Sequence, residues 1–405
     1  MSEQLPEGWI ESTIGSVTSE ENNRVGSRKG ARVLSSTKHS GLVPSDEYFK
    51  NRIVYSDDIS NYKLVHKGNF AYATNHLAEG SIGLQVRFDE ACVSPMYTVF
   101  SCSSNVYEPY FFRLLKSERI LAYYQLHEQA SVDRRGAIRY RDFSKIPIVL
   151  PPTEEQRRIV EVLDALGESI ESLNRIIEKR KSIKIGLSMS LLNRAEGEAR
   201  RKSPLASFAE VRSGVTLGSP LVGSGKNFPY LRVANVQDGY LDLSDVKCLR
   251  VPASSAPSYE LRIGDVLMTE GGDFDKLGRG VVWRGEIDEC LYQNHIFRVR
   301  CEESIMLPDF LALYSSSWHG KNYFRLASKQ STNLASINST QLKAFPVPRA
   351  SLEEQRRIVS IIGAHDERTA AERARLEKLR KLKAGLMGDL LTGRVRVNQL
   401  QDLPV

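Results

Sequence analysis

Two stretches of the chain carry apolar residues at the alternating steps of four and three that mark one face of a long helix. The first runs Ile159, Leu163, Leu166, Ile170, Leu173, Ile177, then Leu187 and Leu191, broken once by Arg180 and Lys184. The second runs Ile358, Ile362, Leu376, Leu379, Leu386 and Leu390, with the polar residues His365, Thr369 and Glu372 in its middle. Each predicts a helix, over 151–193 and 351–393, whose apolar stripe needs a partner surface. Start signals precede both. Thr153 with Gln156, just after Pro151 and Pro152, has capping-box spacing, and so does Ser351 with Glu354. Glu154 and Glu155 fall in the first turn, where the helix dipole favours negative charge.

The two stretches are copies. The heptapeptide EEQRRIV stands at Glu154–Val160 and again at Glu353–Val359, an offset of 199 residues in a chain of 405. The register returns without a gap at the far end, where KIGL at 184–187 aligns with KAGL at 383–386 and Leu191-Leu192 with Leu390-Leu391. It is thus held over about 40 residues, or roughly 60 Å of helix. One apolar stripe is ordinary core packing. Two in register imply helices that pair with each other about a pseudo-two-fold axis, or that present equivalent surfaces to two copies of one partner.

Before each helix the pattern changes to short β-rich runs bounded by turn residues. In the first half these are Arg52–Tyr55, Asn69–Thr74 and Met96–Ser101. In the second they are Tyr230–Val236, Asp265–Met268, Gly280–Trp283 and His295–Val299. Each half also has an internal helix pattern, near Pro109–His127 and Pro308–Ala327, and NRAEGEARRKS at 193–203 reads as a linker. Weak kinship joins the halves. Lys67-Gly68-Asn69-Phe70 is similar to Ile263-Gly264-Asp265-Val266, Ala91-Cys92 to Glu289-Cys290, and Lys145-Ile146-Pro147-Ile148 to Ala344-Phe345-Pro346-Val347. The expected division is a globular module over 1–150, a helix over 151–193, a linker and second module over 194–350, a helix over 351–393 and a tail over 394–405. The fold class is α+β. A shared scaffold with diverged loops suits two recognition modules for different targets.

Composition narrows the chemistry. Apolar residues make up 41% and charged residues 26%, as in a soluble globular protein, and no apolar run is long enough to span a membrane. The start, MSEQLPEGW, has no basic and apolar signal pattern. Five scattered cysteines without a CxxC pair argue for a reducing cytoplasm and against structural zinc. A net charge of +7 and a pI near 9.0 make nucleic acid a plausible partner. Catalytic motifs are absent. Leu150-Pro151-Pro152-Thr153 lacks the polar first residue and the aromatic of an amino-methyltransferase signature, and Gly225-Lys226-Asn227 fails as a phosphate loop. Gly271-Gly272-Asp273 with Asp275 reads as a turn rather than a metal site, so the expected catalytic and metal residues are none.

Other segments suit DNA contact. Arg134, Arg135, Arg139 and Arg141 form a basic stretch with Tyr140 interleaved, and Lys329-Gln330-Ser331-Thr332-Asn333 stands at the matching place in the second half. Arginine can bond guanine, asparagine and glutamine can bond adenine, and lysine serves phosphates. The candidates for a first half-site are Lys38, His39, Asn75, His76, Arg134, Arg135 and Arg139. Those for a second are Arg232, Asn235, Gln237, Lys276, Arg279, Asn294, His295, Lys329, Gln330 and Asn333.

The two helical stretches, with the GLM and LLTG ending of the second, resemble those of type I restriction–modification specificity subunits. LPEGW, GVTLG at 214–218 and PYLRVANVQDGYLDL at 229–243 resemble the same family. The resemblance implies two target recognition domains separated by two long antiparallel coiled-coil helices in a pseudo-two-fold, circular arrangement. It implies a non-catalytic DNA-reading subunit of a bacterial or archaeal cytoplasmic complex. Each half would read one part of a split, asymmetric duplex target, and the helices would set the spacer. Two modification subunits would dock on the helices and restriction subunits would join them. S-adenosylmethionine, ATP and Mg²⁺ would belong to those partners, with no cofactor on this chain. In the first half, RVLSSTKHSGLVPSDEYFKNRIVYSDD stands where a counterpart of YLRVANVQDG is expected. Two other readings stay open: a nuclease or methyltransferase acting alone, and a coiled-coil adaptor with no DNA role.

Overall fold

In the computed structural model, residues 5–402 are described, apart from 29, 51, 53, 131–136, 200, 219–221, 224, 273–276, 279 and 331–334, and apart from the side chains of 128–130, 272, 329–330 and 401–402. The chain forms two compact units, Met1–Asn174 with Ala374–Val405, and Arg175–Arg373. The two long helices, Thr153–Ala199 and Leu352–Thr392, each begin in one unit and end in the other. Each unit therefore holds the first half of one helix and the second half of the other.

Within each unit these half-helices run antiparallel and share the module's core. In the first unit Ile159 and Leu163 are buried with Leu390 and Leu391 against Tyr110, Phe111 and Phe143. Arg380 Nη2 also reaches Asn174 Oδ1 at 3.5 Å. In the second, Leu191 and Leu192 are buried with Ile358 and Ile362 against Phe310, Tyr314 and Phe345. Leu173, Ile177 and Leu376 are also buried, while Leu166, Ile170, Leu187, Leu379 and Leu386 are half-buried. Burying such a side chain contributes about 1.5–3 kcal/mol, which accounts for the strict heptad spacing. Of the polar interruptions, Lys184 Nζ bonds Asp366 of the other helix at 2.7 Å, and Thr369 is buried with its hydroxyl donating to the His365 carbonyl one turn back.

Each unit has the same four-stranded antiparallel sheet. Its order is Thr18–Glu21, Tyr97–Cys102, Phe70–Ala73, Ile82–Leu84 in the first and Ala209–Ser213, Ile296–Cys301, Val266–Thr269, Gly280–Val282 in the second. Each also has a second sheet containing one parallel pair, Arg32–Thr37 with Glu90–Val93 and Lys226–Leu231 with Leu291–Tyr292. RVLSST is thus the counterpart of the strand that leads into LRVANV, which sequence similarity did not reveal. Two register pairs, Val33 with Cys92 and Tyr230 with Leu291, fix the equivalence.

The kinship of KGNF with IGDV is structural. Gly68 and Gly264 have φ of +89° and +92°, a conformation that favours glycine. The next side chain caps the turn in both: Asn69 Oδ1 accepts from the His66 amide at 2.8 Å, and Asp265 Oδ2 accepts from the Arg262 amide at 2.7 Å.

The repeated heptapeptide has a positional role. Gln156, buried, accepts from the Tyr107 amide at 2.7 Å and donates to the carbonyls of Asn105 and Pro151. Gln355, buried, accepts from the Leu307 amide at 2.8 Å and donates to the carbonyls of Ile305 and Ala350. Each glutamine clamps the start of a long helix to its module. This corrects the capping-box reading at Thr153, whose hydroxyl donates to the Asn105 carbonyl instead. At the second helix only half of a box forms: the Glu354 amide donates to Ser351 Oγ at 3.2 Å, but the Glu354 carboxylate holds Arg357.

Four further expectations change. The linker begins later, because helix continues to Ala199. Alanine, glutamate and arginine favour helix, and Arg194 pairs with Glu198 one turn on. Arg52, Val54 and Tyr55 are not in a strand. Each internal helix is two: Glu108–Leu115 and Glu118–Ala130, Pro308–Ser316 and Trp318–Ala327, divided at Ser117 and Ser317. Tyr230–Val236 leaves the strand at Leu231 and turns through a short 3₁₀ helix, Val233–Asn235. Among the described residues no helix is long and apolar enough to cross a membrane.

Candidate functional site

At one end of each four-stranded sheet, three chain segments converge through matching bonds. In the first unit the Ile138 amide donates to the Thr74 carbonyl at 2.9 Å, and Thr74 Oγ1 donates to the Met96 carbonyl at 3.3 Å. In the second the Ile337 amide donates to the Glu270 carbonyl at 2.8 Å, and the Glu270 amide to the His295 carbonyl at 3.0 Å. Ile138 and Ile337, like Met96 and His295, stand at the same 199-residue offset as the heptapeptide. Apart from the Thr74 hydroxyl these bonds are made by the backbone, which leaves the exposed side chains free to differ.

This end gathers several of the expected residues. In the first unit Asn75 and His76 follow Thr74, with His76 Nδ1 3.5 Å from Glu79 Oε1, and exposed Arg139 follows Ile138. In the second unit exposed His295 places Nδ1 2.6 Å from Glu270 Oε2, and Asn294 precedes it, its amide bonded to the Val215 carbonyl. Lys329–Gln330 pairs with Ala335–Ser336, which pairs in turn with Gly271–Gly272, so this hairpin also reaches the same end. Arg134, Arg135, Lys276, Arg279 and Asn333 lie outside the described residues, as do Asp273 and Asp275. The side chains of Lys329 and Gln330 are likewise not described. Among the described residues no group of three or more histidine, cysteine or acidic side chains could hold a metal ion.

Other candidates sit elsewhere. Lys38 and His39 form the exposed tip of the hairpin between Arg32–Thr37 and Gly41–Pro44, where Lys116 Nζ donates to the Lys38 carbonyl at 2.8 Å. Asn235 is buried. Its Oδ1 accepts from the Arg232 amide, and its Nδ2 donates to the Asp242 and Asp245 carbonyls. The asparagine is a turn brace rather than a presented base reader, a correction to its sequence assignment. Arg232 Nη2 bonds Asp245 Oδ2 at 2.8 Å, and Lys247 and Arg232 together hold the Asp245 carboxyl below the usual range. Gln237 Nε2 donates to the Ala234 carbonyl at 2.7 Å. Tyr140, interleaved in the basic stretch, donates its hydroxyl to the Thr18 carbonyl at 2.9 Å, and its ring packs at a tilt beside Phe100 and Phe143. Sequence reasoning passed over Met96, Gln293 and Glu270, although the offset carried from the heptapeptide would have paired Met96 with His295.

The long helices carry a second duplicated feature. Ile183 and Leu382, at the same offset, are 48% and 49% exposed. Three residues on, Gly186 and Gly385 are exposed, and a Cβ there would meet open space. A helical glycine costs about 1 kcal/mol relative to alanine. An apolar residue one turn from an uncrowded glycine, present twice, is a surface that a packed helix could approach closely.

Comparison with known proteins points one way. The family model for the type I restriction modification DNA specificity domain matches residues 6–180 and 201–381. Over 239 residues, 55% of this chain and 51% of the relative, the sequence is 26% identical to the type I restriction enzyme EcoKI specificity subunit of Escherichia coli K12. Over 276 residues, 64% of each, it is 27% identical to the MjaVIII specificity subunit of Methanocaldococcus jannaschii. The match thus spans less than two thirds of the length of either relative. In fold, the chain is similar to the HsdS subunit from Thermoanaerobacter tengcongensis, with a TM-score of 0.56, 19% identity, and coverage of 97% of this chain and 99% of that one.

Proposed function

This chain belongs to the type I restriction–modification DNA specificity family, and from that premise we propose that it reads a bipartite, asymmetric duplex target. Each module takes one half-site through the sheet end described above, and the paired helices set the number of unread base pairs. The chain itself is not the catalyst. Two modification subunits dock on the duplicated helix surfaces around Ile183 and Leu382, and they carry S-adenosylmethionine. Restriction subunits with ATP and Mg²⁺ complete the cytoplasmic complex.

The observation that carries this reading is a scaffold in which the same segments are tied together in both modules beneath exposed residues that differ. Identical modules would read a symmetric target. Modules alike in Gln156 and Gln355 but unlike in Met96 and His295 suit two different half-sites. The net charge of +7 supports phosphate attraction.

The test is methylation mapping in a host that expresses this chain with its modification subunit. A split motif with a fixed gap is the expected result. Assembly of the complex without any sequence-defined methylation would overturn it and leave the adaptor reading.

A further inference from the structure

Two equivalent turns at the sheet ends carry opposite chemistry. Ser94–Met96 leads into one central strand and Gln293–His295 into the other. Each is closed the same way: the Tyr97 amide donates to the Ser94 carbonyl at 3.0 Å, and the Ile296 amide to the Gln293 carbonyl at 2.9 Å. Each is tied to the neighbouring strand end, through Thr74 in one and Glu270 in the other. The first turn offers few hydrogen bonds at its tip, since Pro95 has no donor, Met96 has only a thioether, and the Ser94 hydroxyl lies 3.5 Å from the Met96 amide. Met96 is 61% exposed, a flexible and polarisable apolar group at the tip. The second turn offers two amides and an imidazole, and Glu270 at 2.6 Å fixes the His295 ring through Nδ1, leaving Nε2 for another partner.

In a major groove, the two chemistries select different edges. An apolar side chain distinguishes the 5-methyl group of thymine, while amide and imidazole groups read hydrogen-bonding edges. We propose that Ser94–Met96 and Gln293–His295 are equivalent base-reading turns, the first recognising a thymine 5-methyl group through Met96 and the second hydrogen-bonding base edges through His295 and Asn294. This rests on the reading of the chain as a DNA specificity subunit. It adds Met96 to one half-site and His295 with Asn294 to the other, each with a base chemistry.

The experiment uses the chain assembled with its modification subunit and duplexes bearing its mapped target. Deoxyuridine replaces each thymine in turn, which removes only the methyl group. At one position the substitution weakens wild-type binding by about three- to tenfold. Met96→Ala weakens binding to the thymine duplex by a similar factor and is indifferent to deoxyuridine at that position. His295→Ala relaxes one position of the other half-site and leaves the deoxyuridine response intact. The proposal is overturned if no thymine is sensitive, if Met96→Ala binds as wild type, or if it keeps the full deoxyuridine response. A complex that prefers no sequence at all would overturn the underlying reading as well. A complex that reads a split motif without coupling to Met96 would overturn this inference alone.

Discussion

Asn69 and Asp265 hold the same turn in the two units, yet only Asp265 is charged, and Arg300 grips it with two bonds of 2.7 Å. Asp265 is 1% exposed, so removing its charge strands a partly buried guanidinium. Asp265→Asn keeps the turn bond and is expected to lower stability by on the order of 2 kcal/mol. Replacing Arg300 with serine in the same chain, the residue found at Ser101 in the first unit, should restore most of the loss in a denaturant titration. Single-residue roles of this kind were partly legible. The glycine–Asx turn was visible as KGNF and IGDV, because its signal is local. The burial of Asn235 was not visible, because its three bonds are made by a loop whose path a linear pattern does not give.

Among elements, the helices were the most legible, since a heptad seam states both its period and its need for a partner. Their true anchors were not. Gln156 and Gln355 bond amides 49 and 48 residues away, beyond any capping signal. Gln156→Ala strips the Tyr107 amide and the Pro151 carbonyl of this partner, while the Asn105 carbonyl keeps the Thr153 hydroxyl, and Gln355→Ala strips the Leu307 amide and the Ile305 and Ala350 carbonyls. Each should cost on the order of 3 kcal/mol and lower the melting temperature, with the two effects additive because the clamps lie in different units. Glu196, near the end of the first long helix, accepts from Tyr314 and Lys202 and faces His319. Burial pushes its pKa up, but those hydrogen bonds and the neighbouring charge outweigh it, so its carboxyl titrates below the ordinary range. A depressed carboxylate contributes stability above its ordinary pKa and loses it as the pH falls through the lowered value. Glu196→Gln should therefore lower stability at neutral pH and flatten its loss in acid, as followed by unfolding across pH 2–6. The helix surface gives a third expectation. Ile183→Asp and Leu382→Asp should each remove one of two bound modification subunits, and together both, as read by the mass of the complex in solution.

For the whole molecule, duplication was legible from seven residues and their offset, and it carried the fold class. What the sequence concealed was the exchange of helix halves: each unit contains the start of one long helix and the end of the other. A stripe of apolar residues shows that a helix is covered, not by which part of the chain. If the helices act as the spacer, inserting one heptad in both at matching positions adds about 10 Å, and the gap in the target should grow by about three base pairs. The central claim is that one scaffold carries two independent readers. Its most direct measurement is methylation mapping after the module preceding the first long helix is exchanged for that of another family member. The account predicts that one half of the motif changes while the other half stays as it was. A motif that changes in both halves, or in neither while methylation persists, would contradict it.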